Sequence, residues 1–127
     1  MKPLFSILSL SVIAFALFAF QAGDQIALAM KAGNANEVAK HFGPQVELTL
    51  PNSEGTLSKT QATAKLSAFF RANQPTGYKP IHKGQSKLGL TYSIAELTTA
   101  EGTFRVSIYL KKSERSEAIQ SLTIEAS

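Results

Sequence analysis

The side chains that could move protons are few in this sequence. It contains two histidines, His41 and His82, a single aspartate, Asp24, and no cysteine. A general base near neutral pH is usually a histidine or a buried carboxylate, so His41 or a glutamate is the acid–base candidate, with a tyrosine as hydrogen-bond donor. Asp24 stands where it can cap a helix, and both histidines fit ordinary structural positions. We therefore predict no catalytic residue and favour a protein that is not an enzyme.

Other chemistries also lack their motifs. His41 and His82 are far apart and no cysteine accompanies them, so no zinc-ligand spacing is present. The stretch GQSKLGLT places Leu90 where a phosphate-binding loop needs lysine. The 13 Lys and Arg residues oppose 9 Asp and Glu, but they are scattered, and only Lys111 and Lys112 are adjacent. We therefore predict no metal, no cofactor and no nucleic-acid partner.

The N-terminal stretch MKPLFSILSLSVIAFALFAFQA has the layout of a secretory signal peptide, with a basic start, an apolar middle and small residues at its end. Its apolar run, residues 4–20, is shorter than the roughly 20 residues of a membrane-spanning helix. Cleavage after Ala16 would shorten that run, whereas cleavage after Ala22 leaves a better-proportioned leader. We predict a signal peptide over 1–22, one domain over 23–127, and a periplasmic or extracellular location.

Three helices are predicted at the start of the mature chain. The first covers residues 24–33, and the second covers residues 34–42 and is ended by the glycine and proline that follow. The third begins at a capping box formed by Ser58 and Gln61. The apolar stripe of the second helix is Ala35, Val38, Ala39 and Phe42, and that of the third is Ala62, Leu66, Phe69 and Phe70.

Strand patterns dominate the rest of the chain. QVELTL alternates as one strand, and Thr56–Leu57 is a short returning strand. Four further alternating segments, joined by short turns, indicate an antiparallel meander; they cover about residues 78–86, 89–99, 103–112 and 117–125. Helices gathered before the strands predict an α+β fold, with the helices on one face of the sheet.

This order of elements resembles the nuclear-transport-factor-two-like superfamily, also called the cystatin-like or cone fold. The segments HKGQS, YSIAELTT and FRVSIYLKK further resemble a family of short exported bacterial proteins of unknown function. The resemblance implies three N-terminal helices packed on a strongly curved, mainly antiparallel sheet that often encloses a pocket. It also implies a homodimer formed through the sheet face. Enzymes of the superfamily use an Asp or an Asp–His pair inside the cone, a pattern that Asp24 does not match.

The strand FRVSIYLKK leaves two arrangements open. Its apolar row begins at Phe104 and its polar row consists of Arg105, Ser107 and Tyr109. If the polar row faces the helices, it forms a polar patch in an apolar cup, the usual composition of a ligand site; otherwise it faces solvent or a partner, and a one-residue shift decides between the two. The ligand-site candidates are Phe42, Leu66, Phe69, Phe70, Tyr92, Arg105 and Tyr109.

The preceding predicted strand, about residues 89–99, carries apolar residues on both of its faces. Ile94 beside Tyr92 favours a core-facing Tyr92, whereas Ala95 and Leu97 point the other way.

Three functions follow as hypotheses. The first is a non-enzymatic envelope protein that binds a small apolar or amphipathic ligand, or a partner. The second is an isomerase or dehydratase with a pocket His or Glu and a Tyr, and the third is an assembly module acting through its sheet face. In all three hypotheses, the protein contacts a membrane only through its signal peptide, before cleavage.

Overall fold

The computed structural model describes residues 22–113 and 116–127. The first element, α1, covers Ala22–Ala32, so the predicted signal peptide lies outside the described residues except for Ala22. Within the described part of the chain, no helix combines the length and the apolarity needed to cross a membrane. Helix α1 buries Ile26 and Met30 against the sheet, which places it over the site described below.

A glycine ends α1 in a Schellman motif. Gly33 has a φ of +66°, its N–H donates to the Met30 carbonyl at 3.1 Å, and the Asn34 N–H donates to the Ala29 carbonyl at 3.0 Å. Asn34 then caps α2, which covers Ala35–Ala39, by accepting from the Glu37 N–H at 3.1 Å. The predicted boundary between the first two helices is therefore confirmed.

The predicted end of the second helix is wrong. Helix α2 stops at Ala39, and Phe42 is the first residue of strand β1, Phe42–Leu50. The Ile119 N–H donates to the His41 carbonyl at 2.6 Å, and Phe42 pairs with Ile119. Pairing with this distant strand competes with helix propagation and converts the segment to a strand, while Phe42 stays buried.

Helix α3, Lys59–Ala72, agrees with its prediction. Ser58 accepts from the Gln61 N–H, and the Gln61 side chain accepts from the Ser58 N–H, both at 3.2 Å. This capping box satisfies two of the N–H groups that a helix leaves unpaired at its start. All four residues of the predicted apolar stripe are buried, so the stripe is confirmed.

In the described part of the chain, six strands form one sheet in the order β2-β1-β6-β5-β4-β3. The sheet is curved and open, and only the β1–β6 pair is parallel. The predicted meander is β3 to β6, and the predicted two-residue strand is the longer β2. Besides β1, the strands are β2 Ser53–Ser58, β3 Pro75–Gln85, β4 Thr91–Thr99, β5 Gly102–Lys112 and β6 Glu117–Ala126.

The helices lie on one face of this sheet. Val106, Ile108 and Leu110 of β5 are buried and join side chains of α1, α2 and α3 in one hydrophobic cluster. Because directly paired residues share a face, the pairing of Val106 with Ala95 puts Ala95 on the helix side as well. We call this side the inner face and the opposite side the outer face.

Candidate functional site

A small hollow lies between α1 and strands β3, β4 and β5. Its volume is about 120 Å³, close to that of the roughly 150 Å³ engineered cavities that hold a benzene molecule. Small side chains leave this space open, because α1 presents Gly23 and Ala27 to it and β4 presents Ala95. The lining is Gly23, Asp24, Ile26, Ala27, Tyr78, Pro80, Lys83, Thr91, Tyr92, Ser93, Ala95, Ile108, Leu110 and Glu117.

Four of the lining residues carry hydroxyl groups, Tyr78, Thr91, Tyr92 and Ser93. Tyr78 and Ser93 stand at inner-face positions of β3 and β4. Tyr78 pairs with Leu97, which is fully buried on the inner face. Burial raises the pKa of the Tyr78 phenol to about 12, because a phenolate is poorly solvated there. The phenol therefore stays protonated over the physiological pH range and can donate a hydrogen bond to a ligand oxygen.

Charged side chains stand at the rim of the hollow. Lys83 extends from β3 toward α1, and its Nζ comes within 4.0 Å of the point where a Cβ on Gly23 would lie. Asp24 on α1 and Glu117 at the start of β6 also contribute to the lining. The hollow thus has an apolar interior with hydroxyl donors and a charged mouth, a distribution typical of small-molecule sites.

The four predicted core candidates do not form an open cup. Phe42, Leu66, Phe69 and Phe70 are 5%, 0%, 8% and 4% exposed, so their side chains fill the core. Phe69 packs edge-to-face on Phe70 and Phe104, with ring centroids 5.9 and 5.2 Å apart. Only Phe69 also touches open space, in a shallow depression beside Phe104 at the other end of β5 from the hollow.

The arrangement with Arg105 facing the helices is wrong. Arg105 and Tyr109 are exposed on the outer face, because their neighbours in β5 point into the core. Arg105 stands directly opposite Glu96 and Glu125 on the adjacent strands. An isolated guanidinium in an apolar interior would cost several kcal/mol, whereas the outer face leaves it hydrated.

The core-facing prediction for Tyr92 is also wrong, because pairing with Tyr109 puts it on the outer face. The Tyr92 hydroxyl and His82 Nε2 are hydrogen-bonded at 3.0 Å, and the Tyr92 and Tyr109 ring centroids are 5.8 Å apart. The Tyr92 ring lies over Gly84, where an added Cβ would come within 2.7 Å of the hydroxyl. Tyr92 is the one predicted candidate that also contributes to the lining of the hollow.

His41 lies away from the hollow. It lines a surface depression between α1 and α2. The pKa of His41 is lowered there, chiefly because burial disfavours the charged imidazolium; the nearby Glu37 acts in the opposite direction, and Lys40 adds to the lowering. Glu37 and Lys40 form an ion pair at 2.9 Å. No three His, Cys, Asp or Glu side chains within the described ranges come together as metal ligands.

Sequence reasoning missed Tyr78, Lys83, Ser93 and Glu117 as site residues. The alternation of β3 is interrupted by register shifts between Pro75 and Gly77 and between Pro80 and His82, so the faces of this strand cannot be counted from the sequence. One pattern in the sequence could have identified Ser93. It stands two and four residues before the apolar Ala95 and Leu97, so all three side chains lie on the same face of β4.

Comparisons with known proteins agree with this architecture. The family described as a domain of unknown function (DUF4783) matches residues 23–125, and no curated protein matches the chain significantly. A DUF4783 family protein from Bacteroides ovatus has 29% identity and a TM-score of 0.75, covering 81% of this chain and 93% of that chain. A Bacteroides uniformis member has 26% identity and a TM-score of 0.78, covering 84% and 98%.

A more distant match concerns the fold alone. A domain of unknown function with a cystatin-like fold from Nostoc punctiforme has 11% identity and a TM-score of 0.63, covering 81% of this chain and 71% of that chain. The predicted resemblance to an unknown-function family within the cone-fold superfamily is therefore confirmed.

Proposed function

The chain belongs to the DUF4783 family, a domain of unknown function, and from this premise we propose that it is an exported, non-enzymatic binding protein of the cell envelope. Its ligand is a small apolar or amphipathic molecule that enters the hollow beneath α1. The leader-like sequence of residues 1–22 supports export to the periplasm or the cell exterior.

The hollow is the observation that carries this proposal. Its interior is formed by apolar side chains from α1, β4 and β5, among them Ile26, Ala95 and Ile108. A space of about 120 Å³ accommodates one six-membered ring or a short alkyl chain rather than a drug-sized molecule, for which pockets of about 300–1,000 Å³ are usual. The ligand, or the part of it that is enclosed, is therefore small.

The polar groups of the hollow suit binding. A neutral Tyr78 phenol offers a hydrogen bond without supplying or removing a proton near pH 7. The two histidines lie elsewhere, His41 between α1 and α2 and His82 on the outer face against Tyr92. A ligand with one oxygen acceptor fits this set of donors.

Xenon and phenol are suitable probes of this site, because xenon enters small apolar cavities and phenol adds a hydroxyl to a single ring. Xenon-pressurised crystals are expected to show xenon in the hollow. Phenol titration is expected to shift the amide NMR signals of Ala27, Ser93 and Ala95. Phenol-induced shifts confined to amides that lie away from the hollow would contradict the proposal.

A matched pair of variants sharpens the test. Ala27→Leu puts three extra carbons at the wall of the hollow and should abolish the response to phenol. Ala64→Leu adds the same atoms at an exposed position of α3 and should leave the response unchanged. Phenol binding that survives Ala27→Leu at full affinity would show that the hollow is not the site.

An enzyme is the second candidate, because Glu117 and Tyr78 line the same hollow. A carboxylate base beside a phenol donor could move a proton next to a carbonyl group. Deuterium exchange at the α-carbon of cyclohexanone, a one-ring ketone, measures this activity. Exchange that is faster with the protein than in buffer and is lost in Glu117→Gln would support the enzyme, whereas no acceleration supports binding alone.

A homodimer through the outer face is the partner that we propose. Tyr92 and Tyr109 form an aromatic centre there, and a charged row crosses four strands in alternating sign, in the order Lys79, Glu96, Arg105 and Glu125. A copy related by a two-fold axis that runs parallel to the strands presents this row in the reverse order, so unlike charges meet. Analytical ultracentrifugation should find a dimer that Tyr109→Lys dissociates, while Leu28→Lys, an exposed position on α1, leaves it intact.

A further inference from the structure

We infer that one end of the sheet docks on an anionic phospholipid surface. This basic end consists of the β3–β4 turn, residues 86–90, together with Lys83 of β3 and Lys111 and Lys112 of β5. Leu88 of the turn enters the headgroup region, and the lysines contact lipid phosphates. The inference goes beyond the expectation that only a leader meets a membrane, and it does not depend on ligand binding in the hollow.

The turn presents Leu88 in a preformed geometry. The Ser86 hydroxyl accepts from the Leu88 N–H at 3.3 Å and from the Leu90 N–H at 3.2 Å. The Ser86 N–H donates to the Leu90 carbonyl at 2.8 Å, and Gly89 supplies a φ of +79°. Leu88 is 86% exposed at the tip, more than any other large apolar residue in the described ranges.

Four lysines lie at the same end of the sheet as this leucine. Lys87 precedes it in the turn, and the pairing of Thr91 with Leu110 places Lys111 and Lys112 beside the turn. Lys83 lies farther along β3, opposite Ser93, and all four lysines are exposed. Within the described residues they outnumber the two neighbouring carboxylates, those of Glu117, opposite Lys112, and of Asp24 on α1.

An exposed leucine alone needs no explanation. An exposed leucine in a hydrogen-bonded turn at the lysine-bearing end of the sheet has the two properties that an interfacial anchor needs, since apolar burial and attraction to anionic lipids add together. A soluble polyanion satisfies only the lysines, because it offers no apolar phase to Leu88. Charge complementarity and the apolar tip together therefore favour a lipid surface.

Docking in this orientation brings the mouth of the hollow to the bilayer. Lys83 belongs both to the lining of the hollow and to the basic end. Thr91 and Glu117 also line the hollow and adjoin the basic end, Thr91 after the turn and Glu117 opposite Lys112. A small apolar molecule that leaves the lipid phase would meet the hollow without crossing bulk water. The two sites can nevertheless be tested separately, because Leu88 does not line the hollow.

Vesicle sedimentation tests the docking on residues 23–127. The solved relatives match 81–84% of this chain over 93–98% of their own length, so chains of this extent fold without a leader. Phosphatidylglycerol–phosphatidylethanolamine vesicles are expected to sediment the protein at low salt. Phosphatidylcholine vesicles should not, and binding should fall steeply as salt rises, because the lysine contribution is electrostatic.

Variants separate the two contributions. Leu88→Ser should weaken vesicle binding about tenfold, and the double change Lys87→Gln with Lys112→Gln should weaken it about 25-fold, about fivefold per lysine. Leu28→Ser and Lys65→Gln, exposed on α1 and α3, are the matched controls and should leave binding unchanged. All five positions are exposed, and thermal melts verify that each variant stays folded.

Three results would overturn the docking. One is no sedimentation with phosphatidylglycerol vesicles at low salt. Another is an equal loss of binding in Leu28→Ser and Leu88→Ser. The third is heparin binding as tight as vesicle binding together with no effect of Leu88→Ser, which would identify the basic end as a general polyanion surface.

Discussion

Gly33→Ala tests how α1 is held over the hollow. The alanine meets two separate penalties at this position. Its φ of +66° lies in the left-handed region, which costs an L-residue about 1–2 kcal/mol. Its Cβ would lie 2.8 Å from the Cδ of Pro75, and a proline ring cannot rotate away. Overpacking of this kind costs about 1–3 kcal/mol, so we expect a total loss of about 2–5 kcal/mol in the free energy of unfolding.

Gly89→Ala is the matched control. Gly89 has a φ of +79°, but no atom lies within 4 Å of the position of its Cβ. Only the backbone cost of about 1–2 kcal/mol applies there. The difference between the two variants therefore isolates the contact between Gly33 and Pro75.

Urea unfolding followed by circular dichroism measures both variants. Gly33→Ala should lower the midpoint without changing the m-value, and should lower Tm by roughly 10–25 °C for a domain of this size. Adding Pro75→Ala to Gly33→Ala should recover part of the loss. A Gly33→Ala variant no less stable than Gly89→Ala, or no recovery on removing the proline ring, would refute the assigned contact.

Two further predictions concern single side chains. Because the Tyr78 pKa is about 12 when folded and about 10 when unfolded, the unfolded chain loses this proton first; stability should be unaffected below pH 10 and fall by about 2–3 kcal/mol between pH 10 and 12. Tyr78→Phe should reduce this fall when the free energy of unfolding is measured by urea titration at alkaline pH. If the free energy of unfolding of the variant falls with pH as steeply as that of the unchanged protein, the raised pKa of Tyr78 is contradicted. Arg105→Ala should change unfolding by less than about 1 kcal/mol, and a large loss in thermal melts would argue against its outward position.

Local patterns predicted most of the elements correctly. The capping signals at Asn34 and Ser58 hold because they depend on residues three positions away. The apolar stripe of α3 holds because a helix face is set by a period that one segment contains. The four strands after α3 were found because alternation is also a local property.

The failures are all cases in which a distant segment decides. Phe42 fits a helical stripe, yet β6 draws it into a strand across many intervening residues. Tyr92 and Ile94 fit one parity of β4, yet pairing with β5 gives the inner face to Ala95 and Leu97. Two register shifts in β3 interrupt the alternation of its faces, so the sequence pattern could not show that Tyr78 faces the hollow.

Local sequence patterns are enough to establish the α+β class, the caps, the order of the elements and the scarcity of acid–base side chains. Long-range pairing and packing establish which face of each strand meets the helices, and therefore that Arg105 is hydrated and that the hollow lies beneath α1. Side chains alternate with a period of two along a strand, so a local pattern separates two faces, but the neighbouring strands and helices determine which of them is buried.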